Sequence, residues 1–256
     1  MDDRPARRLE AGLTVTVLGC DGSYPGPGGA ASGYLVTCES TAVWLDAGPG
    51  TLANLQLHLP LGALDAIVIT HEHPDHWSDL EHFVVACRWF LGRTGVPVHA
   101  PANLLARKAA RIRDAEAGAA VLDWRATDPE RKVTIGPMTL TFSLTDHPVP
   151  THAVRIDAAG RSLGYSADSG PAWAMSSLGA GLDLALCEAT FLSDREGTVQ
   201  HLSARQAGAT AREAGAGRLV ITHIAPGIDR VAAETEAEEA FGGPVEVAGI
   251  GARFQV

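Results

Sequence analysis

The sequence predicts a layered α/β (α+β) sandwich rather than a doubly wound parallel sheet. Short β-branched or apolar runs bounded by Gly, Pro or Asp recur along the 256 residues, which is the pattern of strands. They follow one another directly near residues 13–48 and 133–168, and they alternate with segments of helical spacing elsewhere. A doubly wound sheet needs regular alternation throughout, so the mixed pattern favours layers of sheet and helix.

The predicted strands are rich in Val, Ile, Leu and Thr, and turn-forming residues stand at or near their ends. In chain order they are LTVTVLG (13–19), GYLVTC (33–38), AVWLDAG (42–48), DAIVIT (65–70), MTLTFSL (138–144), SLGYSAD (162–168), DLALCEA (183–189) and RLVITHI (218–224). The predicted helices space their apolar residues three or four positions apart. They are GTLANLQLHL (50–59), SDLEHFVVACRWFL (78–91), ANLLARKAARIRDA (102–115), SARQAGATAREAG (203–215) and AAETEAEEAF (232–241).

Size and composition indicate one globular domain. A chain of 256 residues with 46% hydrophobic residues can bury a sizeable core, so we expect a single domain over residues 1–256, with residues 1–12 as a flexible N terminus. No stretch is long enough to span a membrane, and the start MDDRPARRLEAG lacks the apolar core of a secretory signal. A cytoplasmic protein without a membrane partner is therefore expected. The four cysteines form no CxxC pair, which argues against a thiolate zinc site.

The charge of the chain argues against long nucleic acids as partners. A formal net charge of -10 opposes non-specific binding to a phosphate backbone. The basic stretch ARKAARIR (106–113) is interpreted as the solvated face of an amphipathic helix.

The segment THEHPDHW (70–77) gathers metal-capable side chains in one place. They are His71, His73, Asp75 and His76. The segment lies between a predicted strand and a predicted helix, at the carboxyl end of the sheet, where loops converge on sites. Imidazole and carboxylate groups suit zinc and similar divalent ions. Alternate residues of an extended turn point the same way, so His71 and His73 can share one ion while Asp75 and His76 face a second.

The pattern H-x-H-x-D-H after a hydrophobic strand resembles the signature of the metallo-beta-lactamase superfamily. Four further segments resemble the remaining motifs of that family in the same order. They are WLDAGPG (44–50), TDHPVPTHAVRI (145–156), GYSADSG (164–170) and VITHIAP (220–226). The resemblance runs from about Leu13 to the end of the chain.

This resemblance implies a four-layer αββα sandwich with a dinuclear metal site between the two sheets. It implies that His147 completes the first metal site, that Asp168 bridges the two metals and that His223 is the last histidine ligand. Asp46 would support the metal histidines without being a ligand itself. His152 lies close to His147 in sequence and either can be the ligand, although the family spacing favours His147.

The expected cofactors are two divalent metal ions, with zinc preferred and manganese as the alternative. Two such ions roughly 3.5–4 Å apart can ionise a water molecule to hydroxide at neutral pH. The same pair can act on a phosphoryl or a carbonyl group. The ligand set therefore predicts a hydrolase without naming the bond that it cleaves.

Two segments resemble paired motifs of the ribonuclease Z-like branch of the family. They are LCEATF (186–191) and HLSARQAGATAREAG (201–215). In that branch the histidine of the second motif sits over the metals, so His201 becomes a candidate general acid or charge-stabilising residue. Glu188 is the candidate partner that orients His201, and Asp75 is a third catalytic candidate. Taken alone, His201 would be an ordinary residue before the helix cap Ser203.

The expected substrate is a small phosphodiester such as a cyclic nucleotide. A short turn and two predicted strands separate His147 from Asp168, where ribonuclease Z enzymes insert a long arm that grips tRNA. The opening LGCxGSxPxPxxxxSGYLV (18–36) is similar to a compact branch that includes cyclic-nucleotide phosphodiesterases. The alternatives are a lactonase or beta-lactamase acting on a carbonyl group, and a non-catalytic scaffold, which would be expected to have lost ligands. A homodimer is also compatible with the sequence.

Overall fold

The computed structural model describes residues 12–108 and 120–256. The predicted flexible N terminus, apart from Gly12, lies outside the described residues, as does the second half of the helix predicted at 102–115. The basic stretch at 106–113 extends into the same undescribed segment. In the part of the chain that is described, no helix is both long and apolar enough to cross a membrane.

The described residues form two seven-stranded mixed sheets. In chain order the strands are β1 (Thr14–Gly19), β2 (Gly33–Cys38), β3 (Thr41–Ala47), β4 (Ala66–Val68), β5 (Val96–Pro101), β6 (Leu122–Thr127), β7 (Val133–Ile135), β8 (Met138–Leu144), β9 (His152–Ala158), β10 (Arg161–Tyr165), β11 (Leu184–Glu188), β12 (Leu219–Thr222), β13 (Val245–Val247) and β14 (Arg253–Gln255). The first sheet has the order β14-β1-β2-β3-β4-β5-β6, and the second has the order β13-β12-β11-β10-β9-β8-β7. Each sheet is antiparallel in one half and parallel in the other.

Helices cover the outer faces of both sheets. They are α1 (Thr51–Leu55), α2 (Asp79–Ala86), α3 (Ala102–Lys108), α4 (Ala204–Glu213) and α5 (Arg230–Phe241). Helices α1, α2 and α3 pack on the first sheet. There Phe83 of α2 meets Trp44 of β3 edge to face, with ring centroids 5.9 Å apart. Helices α4 and α5 pack on the second sheet through small side chains such as Ala207 and Ala233.

A third apolar layer joins the two sheets face to face. Successive side chains of a strand point to opposite faces, so Tyr34 and Val36 of β2 enter this central layer while Leu35 faces the helices. Each fully buried Val or Leu side chain contributes about 1.5–3 kcal/mol through removal of apolar area from water. The architecture is the predicted four-layer αββα sandwich.

All eight predicted strands are present, with ends that move by a few residues. Six strands were not among the predicted runs, namely β5, β6, β7, β9, β13 and β14. Pro97 and Pro101 conceal β5, because proline lacks the N–H that a central strand uses. In β6 only Leu122 and Thr127 are buried, so its pattern does not alternate.

Candidate metal centre

The predicted ligands lie on loops at one end of the sandwich. The loop after β4 carries His71, His73, Asp75 and His76, and Pro74–His76 form a short 3-10 turn within it. His147 follows β8, Asp168 follows β10 and His223 follows β12. Because the two sheets face each other, these loops meet across the central layer. Gly48 permits the approach, because a Cβ at that position would collide with the carbonyl oxygen of Asp75.

The first group of ligand atoms belongs to His71, His73, His147 and Asp168, and they lie within 4.8 Å of one another. His73 Nδ1 is 3.1 Å from His71 Nε2 and 3.0 Å from His147 Nε2. His71 Nε2 is 3.5 Å from Asp168 Oδ2. Ligand atoms about 2.0–2.2 Å from a tetrahedral zinc ion are roughly 3.3–3.6 Å apart, and the separations of 3.0–3.5 Å in this group are close to that spacing.

The second group belongs to Asp75, His76, Asp168 and His223, all of which are buried. His223 Nε2 is 3.4 Å from His76 Nε2 and 3.3 Å from Asp75 Oδ2. The other oxygen of Asp168, Oδ1, lies 3.1 Å from His76 Nε2 and 3.3 Å from His223 Nε2. Asp168 therefore presents one oxygen to each group, which is the arrangement expected of a bridging carboxylate.

Hydrogen bonds on the outer ring nitrogens hold three of these histidines in place. His76 Nδ1 is 2.8 Å from Asp46 Oδ2, and His71 Nδ1 is 3.1 Å from Thr70 Oγ1. His223 Nδ1 is 3.0 Å from Thr190 Oγ1. A carboxylate on Nδ1 keeps the proton there, so His76 Nε2 presents a lone pair to the group.

Asp46 is the centre of a buried hydrogen-bond network beneath the second group. Besides His76 it accepts hydrogen bonds from the Thr70 N–H at 2.8 Å, the Thr70 hydroxyl at 2.9 Å and the Tyr165 hydroxyl at 3.0 Å. Asp46 (φ 56°), Ala167 (φ 52°) and His223 (φ 53°) all have left-handed backbone conformations. Such conformations are uncommon for residues with a Cβ and cluster at functional sites.

The residues present fit a pair of divalent ions. The inner nitrogens and carboxylate oxygens converge on the two groups, while Asp168 Oδ1 is buried without a hydrogen-bond donor. A cation satisfies such an oxygen, whereas an orphaned buried acceptor is costly. The imidazole nitrogens suit zinc, and the carboxylate oxygens also suit manganese.

The protonation of the ligand histidines differs between the two groups. Burial lowers the pKa of His71 well below its usual value and that of His147 to about 4, so both are neutral at pH 7. Burial would raise the pKa of Asp168, but the adjacent histidines outweigh it and hold that pKa well below its usual range. Burial also opposes charge on His76, yet neighbouring carboxylates raise its pKa well above 6.5. A cation would displace that proton, because a ligand nitrogen must be deprotonated.

His201 lies beside the two groups and contacts the buried Glu188, as the sequence suggested. Its Nδ1 is 3.1 Å from Glu188 Oε1, and its ring centroid is 5.2 Å from that of His147 and 5.5 Å from that of His223. Burial lowers the pKa of His201, but the Glu188 carboxylate outweighs it and raises the pKa to about 9. Ser203 caps α4 as expected, with a reciprocal hydrogen bond to Gln206.

Glu188, His201 and His223 form a third set whose ligand atoms come within 4.8 Å. Glu188 already accepts hydrogen bonds from the Ser169 N–H at 2.5 Å and the Thr190 hydroxyl at 2.6 Å. His223 belongs to the second group as well. We therefore read this set as a hydrogen-bonded pair of His201 and Glu188 next to His223 and not as a third metal site.

His152, the alternative to His147, lies outside both groups. It begins β9, its Nδ1 is 2.7 Å from Thr127 Oγ1, and its ring packs on Phe142 at 5.9 Å. The structure thus brings His147 into the first group and leaves His152 in a packing role.

Sequence reasoning missed the hydroxyl groups that serve the site. Thr190, in the CEATF segment, contacts both Glu188 and His223, and Tyr165, in the YSADSG segment, contacts Asp46. Both residues stand within motifs that were noticed for their charged members. The available signal was their place in the sequence. Thr190 is two positions after Glu188, and Tyr165 is three positions before Asp168.

A model of the beta-lactamase superfamily domain matches residues 41–224. The chain belongs to that superfamily. Its match covers the loops that carry every predicted ligand, so the predicted family is confirmed.

Relatives of this superfamily chain include the probable metallo-hydrolase YhfI of Bacillus subtilis, which is 32% identical over 92% of this chain and 97% of that protein. The crystal structure of YhfI, a metallo-beta-lactamase fold protein, covers 95% of this chain and 99% of its own at a TM-score of 0.85 and 30% identity. The ribonuclease Z of Mycobacterium avium is 30% identical over 92% of this chain and 95% of that protein. The chain is therefore a metallo-hydrolase with ribonuclease Z-like relatives, as predicted.

Proposed function

We propose that this metallo-hydrolase cleaves small phosphodiesters such as cyclic nucleotides. The observation that carries the proposal is the hydrogen-bonded pair of His201 and Glu188 next to both groups of ligand atoms. In the metal-free chain the Glu188 carboxylate raises the pKa of His201 to about 9, which favours the protonated imidazole. A protonated donor is useful where the leaving group is a poorly stabilised alkoxide, as in an alkyl phosphodiester.

His201 would supply the proton for the departing group. Its Nδ1 is occupied by Glu188, so Nε2 is the atom that can donate. As the phosphorus–oxygen bond to the leaving group breaks, the alkoxide takes the Nε2 proton and becomes a hydroxyl group, which in a cyclic nucleotide stays on the ribose of the ring-opened product. Two divalent ions held by the seven proposed ligands would activate water and polarise the phosphoryl group. Asp75, whose pKa is lowered by His76 and His223 against the effect of burial, would accept a hydrogen bond from the attacking water.

The proposed substrate is small. Only β9, β10 and their turn separate His147 from Asp168, so this stretch offers no protruding arm for tRNA. The net charge of -10 also opposes binding of a long polyanion. A cavity of about 460 Å³ beside His73, His147 and His201 is of the size that takes a small molecule. A larger cleft of about 880 Å³ lies at the opposite end of the second sheet and contains none of the site residues.

The test compares substrates that differ in the bond cleaved. Metal-replete protein would be assayed with cyclic AMP, cyclic GMP, a 4-nitrophenyl phosphodiester, an acyl-homoserine lactone and a chromogenic beta-lactam. We expect turnover of the phosphodiesters. Turnover of the lactone or the beta-lactam alone would establish a carbonyl hydrolase instead.

A His201→Ala variant tests the mechanism. We expect the rate on cyclic AMP to fall about 10²–10⁴-fold, with a smaller loss on the nitrophenyl ester, whose phenolate needs no proton. Metal content should stay that of the native protein. His82→Ala is the matched control, since the His82 side chain is 77% exposed on α2. An unchanged rate on cyclic AMP would remove His201 from the mechanism.

Four expectations from the sequence stay predictions. They are zinc as the metal, a single domain over residues 1–256, a cytoplasmic location and a homodimer.

A further inference from the structure

The cavity next to the ligand groups has two chemically different parts. His73, His147 and His201 line the part that faces the proposed metals. The remaining wall is mostly apolar and comes from Pro148, Phe191, Val199, Ala225 and Ile228. Cavities of this composition bind a flat or aliphatic group and use a few polar atoms to orient it.

Arg195 supplies a cation at this wall. Its side chain is exposed, and its guanidinium makes no ion pair or hydrogen bond with any residue between 12 and 108 or between 120 and 256. The backbone around it is nevertheless fixed. Ser193–Arg195 form a 3-10 turn, and Ser193 is anchored to Glu236 of α5 by hydrogen bonds of 2.8 and 2.7 Å. An anchored arginine with free donors at the wall of a cavity is available to a ligand.

The lining restricts the chemistry of that ligand. A second phosphate would need several charge-assisted donors, but Arg195 is the one arginine or lysine in the described lining. The other polar side chains of this wall are the uncharged Ser23, Thr190 and Gln200, and Gln200 already donates to Asp146. A planar heterocycle suits the wall better. Its faces can pack on apolar side chains, and its edge carries ring-nitrogen acceptors, such as N1 or N7 of adenine, to which an arginine N–H can donate.

We infer that this cavity takes the base of a nucleotide substrate, with the apolar wall against the base and Arg195 at its polar edge. The inference rests on the proposed phosphodiesterase function, because the phosphoryl group at the metals places the base in the adjoining space. Arg195 is then a specificity-determining residue, and it discriminates nucleotides from phosphodiesters that lack a base.

The experiment uses the full chain loaded with zinc and a matched pair of substrates, cyclic AMP and the abasic ribose 3′,5′-cyclic phosphate. Arg195→Met removes the charge and keeps the length of the stem. We expect kcat/KM for cyclic AMP to fall about tenfold or more, with little change for the abasic compound. Arg131→Met is the control, since Arg131 lies in the turn before β7 and outside the cavity lining.

Calorimetric titration with adenosine, which has no phosphate to hydrolyse, measures the base contact without turnover. We expect binding to the native chain, weakened about tenfold in Arg195→Met. The inference is wrong if neither the native chain nor Arg195→Met binds adenosine and the native chain cleaves cyclic AMP and the abasic compound with equal kcat/KM. The phosphodiesterase proposal survives that outcome, because both phosphodiesters are still cleaved. If no phosphodiester is cleaved but adenosine binding depends on Arg195, the base site stands and the proposed reaction fails.

Discussion

Replacement of Asp46 by Asn tests how the network beneath the site controls metal binding. Asp46 is fully buried and accepts four hydrogen bonds, from Thr70 N, Thr70 Oγ1, His76 Nδ1 and Tyr165 OH. An asparagine has one acceptor and one donor group in the same space. If its oxygen stays on the Thr70 N–H, its amide N–H₂ faces His76 Nδ1 at the observed 2.8 Å. His76 must then carry its proton on Nε2, which is the atom aimed at the second group.

The magnitude follows from the role of the lost contact. Loss of a carboxylate that orients a histidine ligand typically weakens metal affinity 10- to 100-fold, or about 1.4–2.8 kcal/mol. The direct loss falls on His76 of the second group, whereas His71 of the first group is linked to Asp46 only through the Thr70 hydroxyl, so the first group should keep its ion. We therefore expect one of two metal equivalents to weaken and the other to stay tight.

The assay is a titration of metal-free protein with zinc in competition with a chromophoric chelator. Elemental analysis after gel filtration gives the stoichiometry independently. Tyr165→Phe is the graded comparison, since it removes one donor to Asp46 and keeps the charge, so its effect should be smaller. Thermal unfolding of the metal-free variants separates lost affinity from lost folding. Two equivalents that bind a folded Asp46→Asn variant with native affinity would refute this role of the network.

Further predictions concern single residues of the site. His73→Ala should abolish turnover and remove one metal equivalent, because His73 Nδ1 lies at the centre of the first group; full activity would contradict the ligand assignment. Glu188→Gln should move the alkaline limb of the rate profile to lower pH. Glu188 raises the pKa of His201 to about 9, and the donor must be protonated, so loss of the carboxylate lowers that pKa. Glu239→Gln, on the exposed side of α5, is the charge-matched control, and identical limbs in all three proteins would sink the pairing of Glu188 with His201.

Local patterns determined which elements exist and where chemistry concentrates. Alternating or apolar runs revealed eight of the fourteen described strands, because such runs are visible among neighbouring residues of the sequence. The short segment from His71 to His76 predicted a metal site, because its metal-capable residues lie next to one another in the sequence. Family likeness extended this to His147, Asp168 and His223, which spacing alone would not connect.

The tertiary structure determined the features that depend on contacts between residues far apart in the sequence. The choice of His147 over His152 depends on the loop between β8 and β9, where His152 is held by Thr127 from the other sheet. Thr190 reaches His223 only when β11 and β12 lie side by side. Tyr165 reaches Asp46 of β3 only when the two sheets pack face to face. The position of Arg195 at the wall of a cavity becomes visible only once separate loops enclose that cavity. These features arise where residues far apart in the chain pack together, and no local propensity encodes such a meeting.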